Sequence, residues 1–136
     1  MSIHFSSQRM NWKTPKAFYE NLNLEFGFDF DPCPADPTFD GLNCAWGGVT
    51  FCNPPYGREL SKWIKKGFKE WGVGKKTVVF LIPARPDTKV WHEIILPYAT
   101  EIRFIKGRLK FDDQKNSAPF PSCLVIFLSQ SRELVK

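Results

Sequence analysis

The chain has no Cys-x-x-Cys pair, and its two histidines, His4 and His92, lack the paired spacing that a zinc site uses. Its four cysteines, Cys33, Cys44, Cys52 and Cys123, therefore read as reduced thiols of the kind kept in the cytosol. Neither histidine sits in a serine or cysteine motif, so nothing here points to a nucleophilic hydrolase, and both are assigned to packing or surface roles. Long apolar runs are also missing: none approaches the ~20 residues a membrane-crossing helix needs, and the N-terminus has no signal-peptide stretch. The expectation is a cytoplasmic protein without membrane or metal.

The composition is that of a globular chain. With 136 residues, 43% of them hydrophobic and 15% aromatic, one domain over 1–136 can bury a real core. A formal net charge of +5 favours a polyanionic partner, although a basic balance alone does not single out nucleic acid. Residues 1–11 are polar and without periodicity, and read as a flexible arm.

From Trp12 onward, helix and strand signals alternate. Thr14 is placed to cap a helix with Pro15 at its first position and Phe18 and Leu22 on one face, over roughly 15–22. Phe26, Phe28 and Phe30 then alternate with polar residues or glycine, the period of a strand, and run into Asp31-Pro32-Cys33-Pro34. A second short strand, starting at Val49, stops at Asn53-Pro54-Pro55-Tyr56-Gly57. Leu60, Trp63, Ile64, Phe68 and Trp71 recur at helical steps, with Lys62, Lys65, Lys66 and Lys69 between them as a solvated face or a phosphate grip.

Thr77 to Ile82 is the continuous apolar run of a central parallel strand covered on both faces. Asp87 is expected to cap a short helix with Val90, Trp91, Ile94 and Ile95 inward, stopped by Pro97. Ile102 and Phe104, then Leu109 and Phe111, alternate as strands do, and Cys123 to Leu128 is a buried run beyond a polar loop at 112–122. The sum is an α/β domain of three layers, closed by an antiparallel strand pair.

The Asn53-Pro54-Pro55-Tyr56 stretch carries the chemistry. Prolines fix their own φ and keep the preceding residue extended, so the Asn53 carboxamide and the Pro54 carbonyl form a preset pair of acceptors beside the Tyr56 ring. That suits a planar base with an exocyclic amine: the acceptors take its two N–H bonds, and the ring gives it a π-face. The ring, and not the hydroxyl, is expected to carry the role of Tyr56. The same tetrapeptide also serves as a plain turn that ends a strand.

Asn-Pro-Pro-Tyr after a hydrophobic strand resembles the catalytic motif of amino methyltransferases that use S-adenosylmethionine. The ordered frame runs from Trp12-Lys13-Thr14-Pro15 through Asp31-Pro32-Cys33 and Asn53-Pro54-Pro55-Tyr56-Gly57 to Gly107-Arg108-Leu109-Lys110-Phe111 and Pro119-Phe120-Pro121-Ser122. It resembles the phage-type DNA N6-adenine methyltransferase family (Dam-like) over most of the chain. The resemblance implies a reduced Rossmann-like methyltransferase sheet and direct methyl transfer from S-adenosylmethionine to N6 of adenine in double-stranded DNA. It assigns Asn53, Pro54, Pro55 and Tyr56 to catalysis, and Trp12, Thr14, Asp31, Pro32 and Cys33 to the cofactor. Arg85, Lys106, Arg108 and Lys115 are expected to meet the nucleic acid backbone.

Two features depart from that pattern. Pro34 to Phe39 stands where a glycine-rich turn is expected, and between Cys33 and Asn53 there is no room for two further strand–helix units. Those units normally supply the acid that holds the ribose, so Asp40 and Asn43 become substitutes by position alone. Three alternatives stay open: methylation of RNA adenine, methylation of a glutamine amide, and a DNA-binding relative that has lost the cofactor. Oligomeric state and recognition sequence are not legible.

Overall fold

The apolar run beginning at Thr77 becomes the middle of the molecule. This strand, β2 (Thr77–Pro83), is buried along its whole length. It pairs in parallel with β1 (Val49–Cys52) and antiparallel with β4 (Ser122–Phe127), and β3 (Glu101–Phe104) lies antiparallel on the far side of β4. The computed structural model describes residues 12–34 and 37–129, so the arm expected at 1–11 lies outside the described residues. Among these residues the sheet order is β1-β2-β4-β3.

Side chains alternate across β2 and so build two cores. Val78, Phe80 and Ile82 face α2 (Leu60–Gly72) and α3, a helix wound as a π-turn over Trp91–Ile95 and as α over Leu96–Tyr98. Val79 and Leu81 face the opposite layer, formed by α1 (Lys16–Phe26) and by Phe111, Ala118 and Phe120 of the connection to β4. Covered on both faces, β2 needs no polar alternation. The buried stripe of α2, with Trp63, Ile64 and Trp71, follows the expected helical spacing.

Several expectations are corrected. The alternating phenylalanines do not form a strand. The helix expected over 15–22 continues to Phe26, where Gly27 ends it at φ 67°, a left-handed value that glycine takes without strain. Only Phe30 pairs, through one parallel bridge to Thr50, while Phe28 packs on Tyr19 and Phe51. Leu109 and Phe111 do not extend β3, because the chain leaves the sheet after Phe104 and turns at Gly107 with φ 74°. Asp87 caps no helix; α3 follows a turn in which the Thr88 hydroxyl bonds the Arg85 carbonyl at 2.8 Å. Pro97 does stand at the end of that helix: the π-turn bonds the Leu96 N–H to the Trp91 carbonyl, and the helix stops one residue past Pro97, at Tyr98, with Ala99 extended.

Parallel pairing of Phe30 with β1, and of β1 with β2, brings three carboxyl ends to one rim. Asp31, Asn53 and Ala84 therefore leave the sheet on the same side, where open α/β sheets bind ligands. Among the described residues, no helix is long and apolar enough to cross a membrane.

Candidate active site

β1 ends at Cys52, and Asn53 to Tyr56 continue as buried, non-helical chain. The Asn53 amide nitrogen donates to the Trp12 carbonyl and, at 2.9 Å, to Thr14 Oγ1. A carbonyl only accepts, so Trp12 settles which end of the carboxamide is nitrogen. Oδ1 then accepts the Tyr56 hydroxyl at 2.8 Å, and that hydroxyl also lies 3.2 Å from the Leu81 carbonyl. Because a carboxamide oxygen has two lone pairs, one is left after Tyr56 has bonded. Asn53 is thus held at three points and keeps one free acceptor direction.

This geometry changes two roles. Thr14 is not a helix cap: the cap position of α1 is Pro15, without a side-chain bond, and Thr14 anchors Asn53 instead. The Tyr56 hydroxyl is not idle. Burial pushes its phenol well above the ordinary value, so it remains a protonated donor to Oδ1.

A cavity of about 580 Å³ opens on one side of Asn53. Trp12, Thr14, Asp31 and Cys33 all line it, so the structure brings together four residues scattered over the sequence. Desolvation pushes the Asp31 carboxyl up to about 6, only partly offset by the Cys33 N–H that bonds it at 2.9 Å. No described cation pairs with it. Burial, aided by Asp31, raises the Cys33 thiol to about 12, which makes it a wall and not a nucleophile. Pro32 is buried beside the cavity, and its carbonyl lies so close to Gly41 that any side chain there would collide with it.

Tyr19 and Phe51 add aromatic surface to this cavity, and Asp112 and Asp113 form its rim. The two rim acids bond the backbone of the opposite wall, Asp113 accepting from Lys13 N–H at 3.2 Å and Asp112 from Lys16 N–H at 3.0 Å. Asp112 thereby supplies the cap that Thr14 does not. None of these four was singled out from sequence; the acids bond partners about a hundred residues away, which no local pattern announces. Asp40 and Asn43, the proposed ribose substitutes, bond each other and the start of their own 3-10 turn, and neither is part of the cavity wall.

A second cavity, of about 670 Å³, lies beside the Tyr56 ring. Trp12 lines both cavities: its ring is stacked with Tyr56 at 6.4 Å and 22°, and meets Phe120 edge-on at 5.3 Å. Arg85 reaches this second cavity with its guanidinium over the Phe120 ring at 5.9 Å, joined there by Arg58 and Lys89, which sequence reasoning passed over. Lys106, Arg108 and Lys115 are exposed and lie in neither wall. The arrangement can hold a cation-bearing or hydroxyl-bearing molecule beside Asn53 in the first cavity, and an aromatic one beside Tyr56 in the second.

A family model described as DNA N-6-adenine-methyltransferase (Dam) matches residues 2–133. A comparison with curated proteins gives no match.

Proposed function

The chain belongs to the DNA N-6-adenine-methyltransferase (Dam) family, and from that premise we propose that it methylates N6 of adenine in double-stranded DNA, with S-adenosylmethionine as donor. The observation that carries this reading is the Asn53 carboxamide. Both of its N–H bonds are tied to the protein, and its oxygen keeps a lone pair in the wall of the first cavity while bonded to Tyr56, which lines the second.

The residues of the first cavity fit the donor. A half-buried carboxylate without a cationic partner among the described residues suits an ammonium group or ribose hydroxyls, and Tyr19 and Phe51 offer apolar faces for an adenine ring. S-Adenosylmethionine supplies the methyl group on a sulfonium, an electrophile that needs no covalent enzyme intermediate. Asp31, Trp12, Thr14 and the Pro32–Cys33 turn hold it in this reading.

The chain's own part is to prepare the amine. An extruded adenine enters the second cavity against Tyr56, and stacking returns roughly 1–3 kcal/mol of what unpairing costs. Asn53 Oδ1 and the Pro54 carbonyl accept the two amine protons, which draws the nitrogen lone pair out of the ring as attack begins. Pro55 keeps the turn rigid. Thr14 and Tyr56 keep Oδ1 aimed, so the acceptor needs no reorientation when the base arrives.

Incubation with methyl-labelled S-adenosylmethionine and duplex DNA, RNA or protein tests the reading. Label recovered as N6-methyladenine from the duplex is the expected result. Label in RNA or in a glutamine amide instead would redirect the substrate assignment. Failure of S-adenosylhomocysteine to bind in calorimetry would favour a relative that binds DNA without the cofactor.

A further inference from the structure

The second cavity differs from the first in charge. Arg58, Arg85 and Lys89 line it, and no carboxylate does among the described residues. They come from three places: the 3-10 turn Gly57–Glu59, the loop after β2, and the approach to α3. Among the described residues neither arginine pairs with a carboxylate, and Lys89 meets only Glu93, at 3.9 Å and largely in solvent. Three cations held at one opening, two of them unpaired among the described residues and the third paired only loosely in solvent, attract a fixed polyanion.

Beneath this rim the wall is apolar and aromatic, with Tyr56, Leu60, Val90, Trp91 and Phe120. Trp91 is 1% exposed, and its indole N–H has no partner among the described residues. A donor-only group left unsatisfied beside a cavity is consistent with a site built for a ligand that brings acceptors. A flat floor with a cationic rim matches a nucleotide: base below, phosphates above.

The geometry points to Arg58, Arg85 and Lys89 as the grip on the phosphates that flank the extruded adenosine, so that the duplex docks across the starts of α2 and α3. This rests on the methyltransferase reading above, and adds to it the face that meets DNA. It also demotes Lys106, Arg108 and Lys115, which lie in neither cavity wall, to outlying contacts at most.

The test is the salt dependence of duplex binding by the full chain, with a fluorescein-labelled mixed-sequence duplex. Each phosphate contact contributes about 0.9 to the slope of log affinity against log salt, so the double variant Arg58→Gln/Lys89→Gln should lower that slope by about 2. Arg58→Lys should keep it, and Lys106→Gln/Arg108→Gln should change it little. S-Adenosylhomocysteine affinity of each variant, measured by calorimetry, reports that the fold and the first cavity are intact. A slope unmoved in Arg58→Gln/Lys89→Gln, with parental binding and methylation normal, overturns this assignment alone. A parental chain that binds no duplex overturns the methyltransferase reading, and this proposal with it.

Discussion

On the Asn53 side of Trp12 the wall carries Asp31, Asp112 and Asp113; on the Tyr56 side it carries Arg58, Arg85 and Lys89, and no acid among the described residues. In the proposed reading, this difference sorts two ligands of opposite character: the acidic cavity would draw a cationic donor, and the basic one would turn toward a nucleic acid backbone. Both lie within reach of one loop because Phe30, β1 and β2 run parallel and end together. Lys13 and Lys16 also line the acidic cavity, yet neither pairs with Asp31, so the carboxylate remains available.

The largest break in this comparison comes from Asn53→Ala, which removes the carboxamide of the first cavity that is bonded to Trp12, the residue lining both. Turnover of labelled methyl into DNA should fall by at least about 10²–10³, the loss typical of deleting one preorganised transition-state contact. S-Adenosylhomocysteine affinity should fall only a few-fold, since the Trp12 carbonyl and Thr14 lose a partner but Asp31 does not. Parental turnover in this variant would remove Asn53 from the chemistry.

A change confined to the acidic side should be next in size. Asp31→Asn should weaken S-adenosylhomocysteine roughly ten- to hundredfold at pH 8, the range of a hydrogen bond to a charged group, while duplex binding stays unchanged. The pH profile sharpens the point. With its folded value near 6 against an ordinary 3.8, Asp31 takes up a proton on folding. The stability it contributes is present below about 4 and lost as pH rises through about 6. A cationic ligand prefers the ionised form, so its affinity should rise over that same interval, and Asp31→Asn should flatten the rise. A parental profile that is already flat would separate Asp31 from the ligand.

The smallest expected effect is on the basic side. Tyr56→Phe keeps the ring and loses the bond to Oδ1, worth about 0.5–1.5 kcal/mol, so turnover should fall a few-fold to tenfold with target-base affinity retained. Tyr56→Ala removes the ring packed against Trp12, Phe111 and Phe120 and should cost much more in both. The difference between the two variants, read by fluorescence of 2-aminopurine at the target position, divides the ring's share from the hydroxyl's. Equal losses would leave the ring with no role of its own.

The parts legible from sequence were those decided locally. The β2 run, the α2 stripe, the closing β3 and β4 pair and the sharp end of β1 at Asn53 follow from periodicity and proline geometry, and all appear at about the expected residues. Local pattern failed where two elements overlapped: three phenylalanines with a period of two straddle the end of α1, and a helix propagates until a residue such as Gly27 ends it. It failed again where a polar group chose a distant partner. Thr14 has every mark of a cap, yet it serves Asn53 while Asp112 serves Lys16. The cavities themselves were half visible. Asp31 and Tyr56 announce their walls, but Tyr19, Arg58 and Lys89 look like ordinary helix and loop surface until the chain is folded.

The bond from Lys16 N–H to Asp112 has a consequence for the order of assembly. During synthesis α1 emerges long before residue 112, and until then its first turn lacks that cap and the wall of the acidic cavity has nothing to close against. A nascent or truncated chain that stops short of this loop therefore has half a cleft. Competence for the donor should arrive late and abruptly, as the last third of the polypeptide comes back to fasten the first.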